Sequence, residues 1–346
     1  MRSWMNTYNW RGPCSWVIGL AMVAMLVFYG GQAILADGRT GPVTLVVYAF
    51  STQEEALTQR IFPEFEQAWE ARTGRELVIE GIFGPSGVLA GQINLGAPAD
   101  VALLSNSRHV NWLKVGRQVS ARTEPVAVCQ TPLVIVTRPG NPANIATFGD
   151  LAQPGLRLIH ADPRSSGAGE WAILAEYGSA FLTAGDRVAA RQQVTDIWQN
   201  VRLLAPSARA MLTLFELGAG DAFVTYEQDA RLAVDRGIPL EIVVPSETIM
   251  AQHMAVLVDA NLTIVERPVA REFVDFLAGE AGQDCYGRYH LRPVTPGRDI
   301  AAPFTVDDLG GWSQAYAELV EDLWQADIEP RLNLEPAYQL LNSGED

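Results

Sequence analysis

A chain of 346 residues is long enough for two domains, and an apolar fraction of 48% with a charged fraction of 19% excludes wholesale disorder and a coiled coil. Forty acidic against 25 basic residues give a net charge of −15, which argues against nucleic acid or an anionic membrane as a partner of the body. Three cysteines and four histidines, widely scattered, favour neither a disulfide framework nor a zinc site, so we expect no metal and no cofactor.

The N-terminus has the pattern of an export segment. Residues 1–16 carry Arg2 and Arg11 and no acid, and the apolar run Val17–Tyr29 follows and ends in small residues. This order is typical of a secretory signal peptide. If the small residues are tolerated, the run extends over residues 17–36, which is just enough for an uncleaved membrane anchor. We therefore assign residues 1–38 to a signal peptide or an N-terminal membrane anchor and predict a periplasmic body in either case.

Apolar runs of strand length alternate with amphipathic helices along the body. The first run, Val43–Tyr48, precedes Gln53–Arg72, whose apolar residues recur at helical spacing and which Pro63 is expected to kink. Strands that are apolar on both faces and separated by helices predict parallel sheets covered on both sides, so we expect an α/β fold of two units. The other predicted strands are Leu77–Gly81, Asp100–Leu104, Pro132–Thr137, Leu156–His160, Ala222–Thr225 and Glu241–Val244.

Two places where strands meet proline and polar residues, Gln130–Pro132 and Pro245–Glu247, predict crossings between the units. We expect α/β domain I to comprise residues 43–131 and 246–346, α/β domain II to comprise residues 132–245, and a ligand cleft to lie between them. Helices predicted over Trp312–Ala326 and Pro336–Leu341 are expected to close domain I. Cys129 and Cys285 could pair in an oxidising compartment, but we expect two buried thiols.

The sequence offers little support for catalysis. It contains no HExxH, no CxxC and no phosphate-binding loop with a lysine, and Ser86 lies in Gly-Pro-Ser-Gly instead of GxSxG. A serine hydrolase using Ser86 or Ser166 remains an alternative, because a histidine distant in sequence can lie close in space. The four histidines are isolated in sequence, and we expect packed or surface roles for His109, His160, His253 and His290.

Three loops rich in small residues precede predicted helices: Gly84–Gly87, Asp162–Gly169 and Pro206–Arg209. A serine at a helix start caps one backbone N–H, and the other free N–H groups with the helix dipole form an anion site without a cationic side chain. Each loop alone is compatible with an ordinary cap and turn. Because ligands bind outside the carboxyl ends of parallel strands, three such loops in one α/β chain favour an anion-binding site.

Four blocks carry a family resemblance. His160–Trp171 is similar to N-P-K-T-S-G-G-A-R-W, and Gly220–Ala230 is similar to G-D-(V/A)-x-x-x-W-E-N-E-A. Gly84–Gly87 resembles G-G-S-G, and Leu203–Phe215 resembles a segment whose S/G-A-R contributes a backbone N–H. With these blocks in family order, residues 43–294 resemble the sulfate-binding proteins of bacterial ABC importers, a branch of the type II periplasmic solute-binding proteins.

The resemblance implies a two-domain periplasmic-binding-protein type II fold that captures a tetrahedral oxyanion, sulfate above all, in the cleft between the domains. It implies a monomeric, non-enzymatic protein that delivers the ion to an ABC transporter permease in the inner membrane. Each of the implied ligand-binding residues has one expected role. Ser86 and Ser166 are expected to donate from hydroxyl groups, and Tyr226 is expected to reach across the cleft with its hydroxyl group. Backbone N–H groups are expected from Gly167, Ala168 and Ala208. Arg209 is expected to brace the loop or to offset the charge of the ion.

Departures from the family pattern leave the identity of the bound ion open. Ala49–Thr52 stands where the family often has an aspartate, Tyr226 replaces a tryptophan, Ala168 replaces a glycine and Glu170 replaces an arginine. Molybdate and tungstate remain alternatives to sulfate, and a membrane-anchored sensor domain remains an alternative to a transport component. A site made of hydrogen-bond donors predicts that sulfate binds at least about tenfold more tightly than phosphate, unless the Asp162 carboxylate faces the cleft and accepts the proton of phosphate. We also expect the affinity for sulfate to change little between about pH 6 and 8.

Overall fold

The computed structural model describes residues 41–294 and 303–335. The predicted signal peptide or anchor over residues 1–38 and the predicted helix Pro336–Leu341 lie outside these residues. Within the two described ranges, no helix has both the length and the apolar character needed to cross a membrane.

Strands and helices alternate through most of the described chain. The strands are, in order, β1 (Val43–Phe50), β2 (Leu77–Gly84), β3 (Val101–Leu104), β4 (Val126–Thr137), β5 (Leu158–Ala161), β6 (Val201–Ala205), β7 (Ala222–Tyr226), β8 (Glu241–Val243) and β9 (Met250–Leu257). The longer α-helices are α1 (Phe62–Thr73), α2 (Ser86–Asn94), α3 (Ser107–Val115), α4 (Gly167–Ala184), α5 (Arg187–Gln199), α6 (Ala208–Glu216), α7 (Glu227–Asp235), α8 (Glu266–Ala278) and α9 (Glu280–Gly287).

The strands form two lobes that share two long crossing strands. Neighbouring strands follow the order β2-β1-β3-β9-β4-β7-β5-β6, and β8 pairs with β4. The first lobe contains β1, β2, β3, β9 and their helices, and the second lobe contains β5, β6, β7, β8 and theirs. Strand β4 changes partner in mid-course, since Pro132 pairs with Met250 of β9 while Leu133 pairs with Tyr226 of β7. The chain therefore passes from one lobe to the other within β4.

The expectation of purely parallel sheets is wrong in part. Pairs of β1 with β2 and β3, and of β5 with β6 and β7, are parallel, whereas β4 pairs antiparallel with β7, β8 and β9, and β9 pairs antiparallel with β3. Strands β4 and β9 carry the chain between the lobes in opposite directions, so they meet antiparallel. Strand β6, strand β9 and the first half of β4 were not predicted, because polar residues such as Gln252 and His253 interrupt their apolar pattern.

Proline 63 distorts the first helical stretch as expected. The backbone is helical from residue 51 to residue 73, with a π-helical turn over Leu57–Ile61 and a regular helix from Phe62 onward. Pro63 lies at the start of α1, where its missing N–H costs least, and the widened turn before it accommodates the ring. This stretch directs residues 51–55 toward the space between the lobes.

The C-terminal segment, residues 303–335, packs mainly on the second lobe. Helical turns run from Val306 to Arg331, and Leu323, Trp324 and Ile328 belong to the same buried cluster as Trp198 of α5. The Trp198 and Trp324 rings meet edge to face at 5.3 Å. The predicted helix over Trp312–Ala326 is thus helical, and its apolar side chains are buried mainly against α4 and α5. Tyr316 also meets Trp112 of α3 in the first lobe, with ring centroids 6.2 Å apart, and the assignment of this helix to domain I remains a prediction.

Candidate functional site

A small pocket with a cavity volume of about 10 Å³ lies where the two lobes meet. The carboxyl ends of β1, β2, β5 and β6 approach it, as do the starts of the helices that follow. Six of the seven predicted site residues line this pocket: Ser86, Ser166, Gly167, Ala168, Ala208 and Tyr226. Residues that were not predicted also line it: Phe50, Ser51, Thr52, Gly84, Pro85, Ser105 and Ser207.

Ser86 contributes a hydroxyl group but does not cap its helix. It is the first residue of α2, and Pro85 occupies the N-cap position. Its Oγ lies 2.8 Å from Nδ1 of His109 and accepts a hydrogen bond from the backbone N–H of Ser105 at 3.0 Å. The expected serine cap is therefore wrong at this loop, and a contact with His109 takes its place.

Ser166 caps α4 as expected. Its Oγ accepts the N–H of Ala168 at 3.3 Å, so the hydroxyl proton is free to turn toward the pocket, whereas the Ala168 N–H is already engaged. Gly167, the first residue of α4, lies against the other lobe. A Cβ at Gly167 would come within 1.8 Å of Ser105 Oγ, so only glycine permits this approach.

Helix α6 brings a third N-terminus to the pocket. Ser207 is its N-cap and accepts the N–H of Ala210 at 3.1 Å. The helix begins at Ala208, two residues earlier than predicted. The first backbone N–H groups of any helix have no acceptor within that helix. The N–H of Ala208 is therefore available at the pocket wall.

Two buried hydroxyl groups at the pocket lack partners. Tyr226 Oη and Thr52 Oγ1 make no hydrogen bond of ordinary geometry to any described residue, although both side chains are buried. Burial raises the pKa of Tyr226 well above its ordinary value, the Glu170 carboxylate raises it further, and the Ser105 hydroxyl acts in the opposite sense. Tyr226 thus stays protonated and can donate. Unpartnered buried hydroxyl groups are costly, so they indicate a polar ligand at this place.

Arg209 does not line the pocket. Its guanidinium forms two hydrogen bonds of 2.6 Å with the carboxylate of Glu55, which follows β1 in the first lobe, and it lies 3.6 Å from Asp229. The arginine therefore connects the two lobes beside the pocket, and its role toward a ligand remains a prediction.

The pocket wall carries no cationic side chain among the described residues. His253 lies behind Phe50, with ring centroids 4.5 Å apart, and burial lowers its pKa to about 3, so it is neutral. Asp162 turns away from the pocket and pairs with Arg164 at 2.9 Å. The donors at the wall are thus helix N–H groups and hydroxyls.

Several direct contacts hold the lobes together around the pocket. Gly87 donates its N–H to the carbonyl of Ser165 at 3.1 Å, and Trp171 donates its indole N–H to the carbonyl of Ser105 at 3.0 Å. Asn106 donates to the Glu170 carboxylate at 2.6 Å. The structure therefore represents a closed form. Glu170 stood out in the sequence only as a departure, and no spacing in the chain predicted its contacts with residues 106 and 109.

The remaining sequence expectations concern cysteine and histidine. Cys129 and Cys285 are both buried free thiols, as expected. His160 and His253 are buried and packed, and His290 is a partly exposed residue paired with Asp235. His109 departs from its expected isolation, because it contacts Ser86. Within the described ranges, no group of three or more His, Cys, Asp or Glu side chains could hold a metal ion.

A two-domain α/β fold that closes on an ion-sized pocket made of helix N-termini defines a solute-binding protein of the type II architecture. The model of the family of bacterial extracellular solute-binding proteins matches residues 45–292. The sulfate-binding protein of Synechococcus elongatus is 31% identical over 88% of this chain and 92% of its own length, and that of Escherichia coli is 30% identical over 75% and 86%. The solved sulfate-binding protein SubI from Mycobacterium tuberculosis superposes with a TM-score of 0.72 at 26% identity, over 81% of this chain and 99% of SubI.

The chain belongs to the bacterial extracellular solute-binding proteins and, among them, to the sulfate-binding protein family. The family is extracytoplasmic and consists of binding proteins. The expected fold class and the expected family are thereby confirmed.

Proposed function

We propose that this protein captures sulfate in the pocket between its lobes and delivers it, as a periplasmic monomer, to the permease of an ABC importer in the inner membrane. The observation that carries the proposal is the convergence of three helix N-termini on one small pocket whose wall has hydroxyls and N–H groups and no carboxylate among its lining residues. A fully deprotonated dianion can accept hydrogen bonds from all of them. Membership of the family supports the same ligand.

In this proposal five of the seven predicted site residues keep their expected roles. Ser86, Ser166 and Tyr226 donate from hydroxyl groups, and Gly167 and Ala208 donate backbone N–H groups. The N–H of Ala168 reaches the ligand only if it releases Ser166 Oγ, to which it donates at 3.3 Å. Thr52 and Ser105 add hydroxyl groups that the sequence did not suggest, and Ser207 adds one from a loop that the sequence singled out.

We further propose that the lobes open and close about the two crossings predicted as hinges. The change of strand partner between Pro132 and Leu133 supports the hinge at Gln130–Pro132. The segment Pro245–Glu247 lies between β8 of the second lobe and β9 of the first, which supports the other. With the C-terminal segment on the second lobe, domain I would comprise residues 43–131 and 246–294, and domain II residues 132–245 and 303–335.

The direct test is calorimetric titration of the mature protein with sulfate, thiosulfate, molybdate, tungstate and phosphate. We expect sulfate to bind most tightly. Phosphate near pH 7 carries a proton that needs an acceptor in a buried pocket, so we expect it to bind at least about tenfold more weakly. Equal or tighter binding of phosphate would contradict the proposed site chemistry, and tighter binding of molybdate or tungstate would replace sulfate as the ligand.

One observation favours a second candidate function. Ser86 Oγ lies 2.8 Å from His109, and His109 lies 3.4 Å from Glu170, an order of groups that resembles a hydrolase triad. Against it, Ser86 Oγ accepts the N–H of Ser105 and the closed pocket leaves room for little more than an ion. We propose that the protein is not an enzyme. Turnover of a generic ester that disappears in Ser86→Ala but persists in Ser120→Ala would favour the hydrolase instead.

A further inference from the structure

Ser105 lies at the place where the second lobe meets the first. It follows β3 in the first lobe, it is buried, and it lines the pocket. Its carbonyl accepts the indole N–H of Trp171 at 3.0 Å, and its backbone N–H donates to Ser86 Oγ at 3.0 Å. Both backbone groups of Ser105 are therefore engaged around the pocket, and the hydroxyl group is the part of the residue that these two contacts leave free.

Asn106 fixes the direction of the hydrogen bond at Ser105 Oγ. Asn106 is the N-cap of α3, and its Oδ1 accepts the backbone N–H of His109 at 3.1 Å. This contact assigns the other end of the amide as Nδ2, which donates to the Glu170 carboxylate at 2.6 Å and lies 3.4 Å from Ser105 Oγ. An amide nitrogen only donates, so Ser105 Oγ accepts from Asn106. The hydroxyl proton of Ser105 therefore points away from Asn106.

Tyr226 Oη is the neighbouring group that can accept this proton. Tyr226 is buried in the second lobe, and its hydroxyl has no hydrogen bond of ordinary geometry to any described residue. Burial raises the pKa of Tyr226, and the Ser105 hydroxyl counteracts this rise, as expected of a group that donates toward Oη. Both residues line the same cavity of about 10 Å³, which is about the space that one water molecule needs.

A phenol hydroxyl can act in two ways toward an anion. It has one proton to donate, and it has lone pairs that repel a dianion or accept the proton of a protonated anion. A donor on the lone-pair side of Tyr226 Oη removes the second possibility and directs the Tyr226 proton to the pocket. Three serines at the pocket wall already meet this condition, since Ser86, Ser166 and Ser207 each accept a backbone N–H.

We propose that Ser105 is a positioning residue that determines specificity: its hydroxyl donates to Tyr226 Oη, so that Tyr226 acts only as a donor toward the bound anion. The hydrogen bonds then run in one direction, from the Asn106 amide through Ser105 and Tyr226 to the ion. This rests on the proposed function, because it concerns the same pocket. It adds to that function a reason why a tetrahedral dianion without a proton is selected over one that carries a proton.

The test is calorimetric titration of the wild-type protein, Ser105→Ala, Tyr226→Phe and the double variant with sulfate, with phosphate measured at the same pH by competition against sulfate. Ser105→Ala frees a lone pair of Tyr226 Oη for the proton of hydrogen phosphate. We therefore expect the ratio of sulfate affinity to phosphate affinity to fall about tenfold, the value of one buried hydrogen bond. In Tyr226→Phe no Oη remains, so adding Ser105→Ala should change the ratio by less than about twofold. Ser179→Ala, at a buried serine of α4 outside the pocket wall, is the control and should keep the wild-type ratio.

Two results overturn the proposal and leave the sulfate site intact. If Ser105→Ala lowers both affinities by the same factor and keeps their ratio, Ser105 only supports the contact between the lobes. If Ser105→Ala weakens sulfate binding equally with and without Tyr226→Phe, Ser105 contacts the ion directly. Absence of sulfate binding by the wild-type protein contradicts the proposed function and this proposal with it. Thermal unfolding establishes that the variants are folded, and if Ser105→Ala does not fold, the ratio in Ser105→Gly, which lacks the same hydroxyl, decides in the same way.

Discussion

Small side chains at helix starts determine how closely the two lobes approach. Gly167 has no positive φ, so its backbone conformation is compatible with alanine. A Cβ added at this position, however, would lie 1.8 Å from Ser105 Oγ and 2.8 Å from Ser105 Cβ. The cost of a methyl group here therefore falls on the contact between the lobes and not on the helix itself.

We expect Gly167→Ala to weaken sulfate binding by about 1–3 kcal/mol, the usual cost of overpacking, because the methyl group opposes closure. Stability of the unliganded protein should change little. Gly91→Ala is the matched control, since Gly91 also lies in a helix and nothing is within 4 Å of its would-be Cβ. Calorimetric titration of both variants measures the effect. Unchanged affinity in Gly167→Ala would mean that the closed contact at Ser105 does not form with ligand bound.

Ser166 combines a cap with a candidate ligand contact, and its two roles can be measured separately. Ser166→Ala should weaken sulfate binding by about 1.5–3 kcal/mol, the range for a hydrogen bond to a charged group. Loss of the cap should lower the free energy of unfolding by about 1 kcal/mol. Ser120→Ala, at a serine outside the pocket, should leave binding unchanged. Wild-type affinity in Ser166→Ala, measured by titration, would place the ligand elsewhere.

At the scale of elements, α4 is an apolar helix with a buried polar contact on β5. His160 of β5 has Nδ1 2.8 Å from the carbonyl of Ile159 and Nε2 2.7 Å from the carboxylate of Glu176, so both ring nitrogens face acceptors. Trp198 of α5 donates to the second carboxylate oxygen at 2.7 Å. The three groups therefore form a buried hydrogen-bonded network that joins α4, α5 and β5.

We expect Glu176→Gln to lower the free energy of unfolding by about 1–3 kcal/mol, because a glutamine amide has a single acceptor oxygen and leaves one of the two buried contacts of the carboxylate unsatisfied. Glu318→Gln, at a side chain that is 48% exposed, is the control and should change stability by less than about 0.5 kcal/mol. Urea-induced unfolding measures both. The same stability in Glu176→Gln as in the wild-type protein would contradict a stabilising role for this network.

For the molecule as a whole, the contact between Glu55 and Arg209 joins the lobes beside the pocket. Burial tends to raise the pKa of Glu55, but the Arg209 guanidinium, together with Arg236, lowers it overall. Because the pKa of Glu55 is lowered, its ion pair with Arg209 stabilises the closed form fully at pH values above 4.5, the ordinary pKa of the group. This contribution is lost as the pH falls through the lowered pKa. Loss of the Glu55–Arg209 ion pair should therefore weaken closure only at acid pH.

Glu55→Gln should weaken sulfate binding about fivefold, because a partly exposed ion pair contributes about 1 kcal/mol to closure. Glu272→Gln makes the same change in an ion pair with Arg72 that lies within the first lobe, and it should bind as the wild-type protein does. Titration at neutral pH gives the affinities, and small-angle scattering of the unliganded protein should show a larger radius of gyration for Glu55→Gln alone. Equal affinity in the two variants would contradict a role for this pair in closure.

The local features of this protein follow from short stretches of its sequence. Runs such as Val43–Tyr48 predicted strands because both faces are apolar, and Pro63 predicted a distorted helix because it lacks an N–H. Serines ahead of small residues predicted helix N-termini suited to an anion, and the structure brings Ser86, Ser166 and Ser207 of those loops to one pocket. These signals depend only on residues that are neighbours in the chain.

Other features depend on residues far apart in the chain and follow from the tertiary fold. Strand β9 has a mixed polar pattern and forms because β3 and β4 flank it, and the C-terminal segment packs on α4 and α5 because their apolar faces lie within its reach. His109 appeared isolated until folding placed it between Ser86 and Glu170, 23 residues before it and 61 after it in the numbering. Contacts of this kind follow from the relative positions of whole lobes, which no local pattern of side chains specifies.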